Sequence, residues 1–68
     1  MKDVKIDTEF IKLDQLLKMT NMCSSGGEAK VRIISGEVKV NGQVEERRGK
    51  KLRTGDVVAI DGKEFRIV

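Results

Sequence analysis

The chain has 68 residues, with 14 Lys and Arg against 11 Asp and Glu, which gives a formal net charge of +3. A chain of this length buries only about 60 % of the surface that its unfolded form exposes, which favours an interaction surface over an enclosed catalytic cavity. One Cys and no His exclude an internal disulfide framework and leave too few soft ligands for a zinc site.

The first residues predict one strand and one helix. Val4, Ile6 and Thr8 alternate with charged residues, which is the period of a half-buried strand, and we expect it at the edge of a sheet. In residues 12–20 the leucines recur at helical spacing on one side, which predicts a short amphipathic helix. Residues 21–24 form a tight connection in which Cys23 is a small buried residue.

A second helix follows this connection. Ser25 precedes Glu28 by three residues, the capping-box spacing in which the hydroxyl accepts from a helix-start amide and the carboxylate reaches back. Ala29 and Ile33 supply the apolar side, and Gly36 lies where a left-handed residue would end the helix. The two helices should pack against each other because the loop between them is short.

The second half of the chain predicts a small antiparallel sheet. Asn41-Gly42 and Asp61-Gly62 both favour two-residue hairpins, because the central positions of a type I′ turn need positive φ. The strands around these turns lie in residues 37–40, 43–46, 57–60 and 65–68. The predicted fold class is α+β, with two short helices packed against an antiparallel sheet of four to five strands in a single domain, residues 1–68.

The positive charge is concentrated in the same half. Residues 1–29 hold 4 basic and 5 acidic side chains, whereas residues 30–68 hold 10 basic and 6 acidic ones. The densest segment contains Arg47, Arg48, Lys50, Lys51 and Arg53, with Gly49 in its middle to let the side chains adapt to phosphate spacing. The alternative is a solvated loop whose charges pair with Glu45 and Glu46.

Base stacking is not expected from the sequence. Phe10 and Phe65 are the only aromatic residues, and both lie in apolar, strand-like stretches. Asp14 and Asp56 are assigned to a helix and a turn, and without a cleft between them they give no catalytic pair. The chain is therefore not expected to be an enzyme.

Four motifs recur in an order that resembles a known family. They are Lys12-Leu13-Asp14 with Leu17, Ser25 with Glu28-Ala29-Lys30, Gly36-x-Val38-x-Val40-Asn41-Gly42, and Gly55-Asp56. Together they resemble the S4 RNA-binding domain over about residues 12–60, and the short chain with its Ser-Gly-Gly start resembles the small free-standing bacterial members. The resemblance implies the S4-like αL fold and an RNA-binding function.

The resemblance also implies which residues bind RNA. It nominates the exposed sides of both helices and the adjoining strand, that is Lys12, Ser25, Lys30, Arg32, Lys39 and Asn41. Ser25 and Asn41 also have structural interpretations, Ser25 as a helix cap and Asn41 as a turn former.

One departure from the family pattern concerns the start of the second helix. Most members carry Arg directly after the Ser, whereas this chain has Gly26 and Gly27 there. These glycines have two possible roles. Bare amides at a helix N-terminus favour an anion, so a phosphate could approach the backbone directly, or the glycines only permit a tight turn.

The sequence thus predicts a non-catalytic module that binds structured RNA, ribosomal or ribosome-associated, through basic contacts to phosphates. No cofactor or metal is expected, a monomer suffices, and ribosomal or ribosome-assembly proteins are the expected neighbours. The lone Cys and the absence of an apolar N-terminal run favour a cytoplasmic protein with no membrane segment.

Two other functions are open. A protein-interaction adaptor of the same fold, with reduced RNA binding, would lack the steep salt dependence of phosphate contacts. A fragment of a longer RNA-modifying enzyme is disfavoured, because the chain opens with Met1 and both ends form plausible strands.

Overall fold

The computed structural model describes all 68 residues. Its elements are β1 (Lys2–Val4), β2 (Ile11–Lys12), α1 (Leu13–Met19), α2 (Gly26–Ile34), β3 (Lys39–Val40), β4 (Gln43–Val44), β5 (Lys51–Leu52), β6 (Val57–Ile60) and β7 (Lys63–Ile67). The α+β fold class is confirmed, because two short helices share one core with a five-stranded sheet. β2 and β5 form a separate two-stranded ribbon.

The five-stranded sheet has the order β1-β7-β6-β3-β4. The four strands from the second half of the chain pair antiparallel, as their hairpin turns predict. β1 lies at an edge, as expected, but it covers residues 2–4 and pairs in parallel with β7, with Val4 opposite Ile67. The sheet is therefore mixed, and alternation alone could not give this direction because the partner strand lies at the other end of the chain.

The ribbon of β2 and β5 brings part of the basic segment to the start of α1. Ile11 lies opposite Leu52, and Lys12 lies opposite Lys51. Leu52 is fully buried and Ile11 packs against the core, whereas both lysines are exposed. This alternation is that of a strand with one face inward, so the ribbon presents its lysines to solvent.

The start of α2 is capped much as predicted. Ser25 Oγ accepts a hydrogen bond from the Glu28 amide at 3.1 Å. The Glu28 carboxylate reaches back one residue further than a capping box requires, because it accepts from the amide and hydroxyl of Ser24 at 2.6 and 2.7 Å. These bonds hold the pKa of Glu28 below its ordinary value and anchor the end of the connection.

The end of α2 is a Schellman motif. Gly36 has φ of 79° and donates to the Ile33 carbonyl at 3.1 Å, and Glu37 donates to the Arg32 carbonyl at 3.1 Å. The left-handed residue predicted at Gly36 is confirmed. It releases the chain into β3 directly after the helix.

The core is one cluster of 14 buried apolar residues. Leu13, Leu16 and Leu17 of α1 are completely buried, and each side chain of this kind contributes about 1.5–3 kcal/mol on burial. Cys23 is buried as predicted, with 3 % of its surface exposed. Desolvation raises the pKa of its thiol, so the reactive thiolate is disfavoured.

Asn41 joins two turns through its side chain. Asn41 and Gly42 have φ of 52° and 84°, which confirms the predicted turn. The Asn41 Nδ2 donates to Asp56 Oδ1 at 3.0 Å, and its Oδ1 accepts from the Val57 amide at 2.9 Å. Asp56 also accepts from the Arg53 amide at 2.8 Å, so the β3–β4 hairpin and the turn before β6 are held together.

Substitutions of Asn41 should separate its two contributions. Asn41→Gly removes the side-chain hydrogen bonds but keeps a residue that tolerates positive φ, so we expect a loss of about 1 kcal/mol. Asn41→Ala also removes the tolerance of asparagine for the left-handed region, which adds about 1 kcal/mol. Urea unfolding followed by circular dichroism measures both losses. Equal stability of the two variants would contradict the backbone contribution.

Candidate nucleic-acid interface

The basic loop, residues 47–53, is fixed to the N-terminus of α1 through its backbone. The Leu13 amide donates to the Lys50 carbonyl at 2.9 Å, and the Asp14 amide donates to the Arg48 carbonyl at 3.1 Å. The first amides of a helix lack partners within the helix, and the N-cap residue Lys12 supplies no side-chain cap. The carbonyls of the basic loop take that role.

Most of the cations that the sequence nominates have no acidic partner. Three of the nine predicted Lys and Arg contacts have a carboxylate oxygen within 4.0 Å, namely Arg32, Arg47 and Arg53. The other six are Lys12, Lys30, Lys39, Arg48, Lys50 and Lys51. Lys12 and Lys51 lie directly opposite each other in the ribbon, and like charges in such a pair are destabilising.

A shallow, open depression runs along the basic loop. Its lining contains no apolar side chain and consists of Arg47, Gly49, Lys50, Lys51 and Arg53. The bottom of such a surface offers only cationic and backbone groups, so it suits an anionic ligand and not an apolar one.

The alternative interpretation, in which the loop pairs with Glu45 and Glu46, holds for Glu45 only. Arg47 makes a two-pronged contact with Glu45, at 2.9 Å from Nε to Oε2 and 3.2 Å from Nη2 to Oε1. The hydrogen bonds from Arg47 lower the pKa of Glu45. Glu46 forms no ion pair. Arg53, at the other end of the loop, pairs with Glu9 at 3.4 Å. The loop thus has an acidic partner at each end, and Arg48, Lys50 and Lys51 between them have none.

Arg32 lies in an intramolecular ion-pair cluster. It donates to the Asp61 carboxylate in the β6–β7 turn and, from Nε, to Glu37 Oε1 at 3.1 Å. Its side chain is only 18 % exposed. The bond from Arg32 holds the pKa of Asp61 below its ordinary value, and the same contact raises the pKa of Arg32. This arrangement fastens α2 to the sheet and favours a structural role over the predicted RNA contact.

Two further predicted residues belong neither to the ribbon nor to the basic loop. Asn41 uses its side-chain amide for Asp56 and Val57, as described above. Lys39 alternates with the buried residues Val38 and Val40, so it lies on the solvent face of the sheet, opposite the core. Asn41 is thus connected to Arg53 of the basic loop through Asp56, whereas Lys39 lies on the outer face of the sheet.

The N-terminus of α2 presents bare backbone. Gly26 and Gly27 are its first two residues, and no hydrogen bond is donated by their amides. Neither has positive φ, and a Cβ would lie 4.0 Å from Lys18 Nζ at Gly26 and 3.9 Å from Ser25 Oγ at Gly27. The left-handed residue in this connection is Asn21, with φ of 62°, so the turn does not require the glycines.

Lys18 and Phe10 belong to this surface although the sequence did not nominate them. Lys18 is exposed in the last turn of α1, and its ammonium lies beside the start of α2. Phe65 is buried, as its strand predicts, but Phe10 is half-buried and contacts Lys51 and Arg53 instead of the core. The contact of Lys18 with the start of α2 joins two helix ends and gives no sequence signal. The apolar, strand-like surroundings of Phe10 predicted a core position for it.

No group of three or more Cys, Asp and Glu side chains is arranged to hold a metal ion. Neither helix has the length and apolar character needed to cross a membrane.

Comparison with known proteins agrees with this fold. The S4 domain family model matches residues 4–68, and the chain belongs to this family. The probable ribosome maturation protein RlbA of Bacillus subtilis (strain 168) is 49 % identical over 59 residues, which cover 87 % of this chain and 83 % of RlbA. The putative RNA-binding protein YbcJ of Escherichia coli (strain K12) is 38 % identical over 58 residues, which cover 85 % of this chain and 83 % of YbcJ.

Two solved structures share the architecture. The solution structure of Escherichia coli YbcJ, described as having an αL motif involved in RNA binding, superposes with a TM-score of 0.74 at 33 % identity and covers 100 % of this chain and 87 % of that one. The 30S ribosomal protein S4e of Thermoplasma acidophilum superposes with a TM-score of 0.68 at 23 % identity, over 91 % of this chain and 33 % of that one. The S4-like αL fold is therefore established, and the named relatives are RNA-binding or ribosome maturation proteins.

The ion pair between Arg32 and Asp61 should give the fold a defined pH dependence. Because the pKa of Asp61 is lowered from 3.8, its contribution is complete above that value and is lost as pH falls through the lower folded-state pKa. Asp61→Asn should therefore be less stable than the wild type at pH 7, and the difference should shrink below about pH 4. Urea unfolding at both pH values measures it.

Glu64→Gln is the matched control, because Glu64 is exposed and outside every ion pair. A gap between wild type and Asp61→Asn that stays constant into acid would contradict the ion-pair explanation.

Proposed function

We propose that this protein is a non-catalytic RNA-binding module that contacts the phosphates of structured RNA through the ribbon, the basic loop and the N-terminus of α2. The observation that carries the proposal is the pair Lys12 and Lys51, opposed in the ribbon without a carboxylate partner. A fold gains nothing from this repulsion, whereas a phosphate bound between the two ammonium groups would relieve it.

The proposed contacts lie at both ends of α1. The ribbon and the basic loop adjoin its first residues, and Lys18 and the bare amides of Gly26 and Gly27 adjoin its last turn. Seven helical residues separate these ends by about 10 Å, at 1.5 Å per residue. The two positive ends can therefore contact different phosphates of one RNA, while Lys30 extends the charge along α2.

Ribosomal RNA is the proposed ligand. The relatives named above include a probable ribosome maturation protein and a putative RNA-binding protein. Double-stranded RNA is recognised mainly by shape and by phosphate and 2′-OH contacts, which exposed Lys and Arg side chains can supply. We further propose that the protein acts in the cytoplasm as a monomer, without a cofactor and beside ribosomal or assembly proteins.

Exposed apolar residues favour the adaptor as a second candidate function. Val31 and Ile34 on α2 are 62 % and 53 % exposed, and Val44 on the edge strand β4 is 51 % exposed. Such residues suit a protein partner better than a phosphate. An RNA affinity that is weak and insensitive to salt would favour this function.

Fluorescence anisotropy with a labelled ribosomal-RNA hairpin across a salt series tests the RNA-binding function. Lys12→Ala should lower the affinity by about five- to tenfold at 0.1 M salt and reduce the salt slope by about 1. The same change should leave stability unchanged or raise it by about 0.2–1 kcal/mol, because it removes a like-charge pair. Because the RNA affinity should fall while the stability does not, the measurement distinguishes a binding role of Lys12 from a structural one.

Lys39→Ala is the control for this measurement, because it removes the same charge from the outer face of the sheet. Equal losses of affinity in Lys12→Ala and Lys39→Ala would show that net charge alone, and not the ribbon, determines binding. A wild type that binds duplex DNA as tightly as the RNA hairpin would also contradict the proposal.

Gly27→Ala tests the phosphate contact at the start of α2. A Cβ fits there without a close contact and alanine favours the helix, so stability should not fall. The methyl group would still keep a phosphate away from the amides, so RNA affinity should fall by about two- to tenfold. Val31→Ala, on the same helix, controls for helix propensity. Unchanged affinity in Gly27→Ala would assign these glycines no role in binding.

A further inference from the structure

Phe10 is an aromatic residue of the basic surface and not of the core. It directly precedes β2 and is half-buried, yet it is not among the residues that pack against the core cluster. Its ring instead contacts two cations, with Lys51 Nζ at 4.9 Å and Arg53 Cζ at 5.6 Å from the centroid. These flexible side chains cover a ring that the core does not bury.

The register of the ribbon explains why these side chains meet. Since Ile11 pairs with Leu52 and Lys12 with Lys51, the next residues outward in the same register are Phe10 and Arg53. Side chains alternate between the faces of a strand, so the solvent face holds Phe10, Lys12, Lys51 and Arg53. One aromatic ring among three cations is the composition of surfaces on which unpaired bases stack beside bound phosphates.

We propose that the ring of Phe10 is a stacking site for an unpaired nucleobase. The site adjoins the depression of the basic loop, with which it shares Lys51 and Arg53. The inference rests on the proposed RNA-binding function and narrows its ligand to a structured RNA that carries an unpaired nucleotide, such as a bulge, beside the helical part held by phosphate contacts.

Binding exchanges one set of contacts for another. Lys51 and Arg53 move from the ring to phosphates, and the base takes their place on the ring. A cation over an exposed ring is held less strongly than a stacked base. The ion pair of Arg53 with Glu9, at 3.4 Å between side chains that are 53 % and 84 % exposed, is weak as well. Little therefore opposes the exchange.

The test uses two RNA hairpins that are identical except for one nucleotide. In one, 2-aminopurine is an unpaired bulge, and in the other it is paired within the helix. The protein variant is Phe10→Leu, which keeps an apolar side chain but removes the aromatic face. Val44→Ala is the control, because it alters an exposed apolar residue on the edge strand β4. Thermal unfolding verifies that each variant folds.

We expect Phe10→Leu to bind the bulged hairpin about tenfold more weakly than the wild type does and the paired hairpin less than twofold more weakly. The wild type should quench the emission of the bulged 2-aminopurine, and Phe10→Leu should not. Because the chain has no Trp, the tryptophan fluorescence of Phe10→Trp reports on this position alone. This variant should keep the RNA affinity of the wild type, and only the bulged hairpin should quench its fluorescence.

Three outcomes would overturn the stacking site. Equal losses on both hairpins would show that the ring only positions Lys51 and Arg53, and no loss on either would leave it without a role in binding. A bulged 2-aminopurine that binding does not quench would place the base elsewhere. In all three the wild type still binds RNA, whereas a wild type that binds neither hairpin contradicts the proposed function itself.

Discussion

Two backbone hydrogen bonds at the start of α1 connect the fold of this protein to its charged surface. α1 has only seven residues, and the side chain of its N-cap residue Lys12 accepts no hydrogen bond from the first amides of the helix. Isolated helices shorter than about 12 residues are marginal in water. The carbonyls of Arg48 and Lys50 supply the missing partners. The basic loop therefore contributes to the fold through its backbone, which is why its cations can be substituted without removing the cap.

Local chemistry determined what could be predicted from the sequence. The cap at Ser25, the left-handed Gly36 and the turn at Asn41-Gly42 depend on residues within one turn, and the structure confirms all three. The parallel pairing of β1 and the ribbon were missed because each joins short segments that are distant in sequence. A strand of two residues is too short to show an alternating pattern in the sequence.

The same distinction applies to the candidate site. A sequence shows which residues are cationic but not which of them have an acidic neighbour in space. Arg32 meets Asp61 from 29 residues away, whereas Lys12 faces another lysine. The fold thus separates cations that stabilise it from cations that remain unneutralised. Phe10 contacts Lys51, which is unneutralised, and Arg53, which pairs with Glu9.

The pairing of β1 with β7 leaves the edge of β7 unpaired during part of the folding reaction. Closing a loop between residues at opposite ends has an entropic cost, and sheets with such distant pairs form slowly. The β6–β7 hairpin closes through its own local turn, so it can form before β1 arrives. Until then the outer edge of β7 presents unpaired amides and carbonyls, which is a template for strands of other chains. Docking of residues 2–4 replaces the five-residue edge of β7 with the three-residue edge of β1, which offers fewer unpaired backbone groups to another chain.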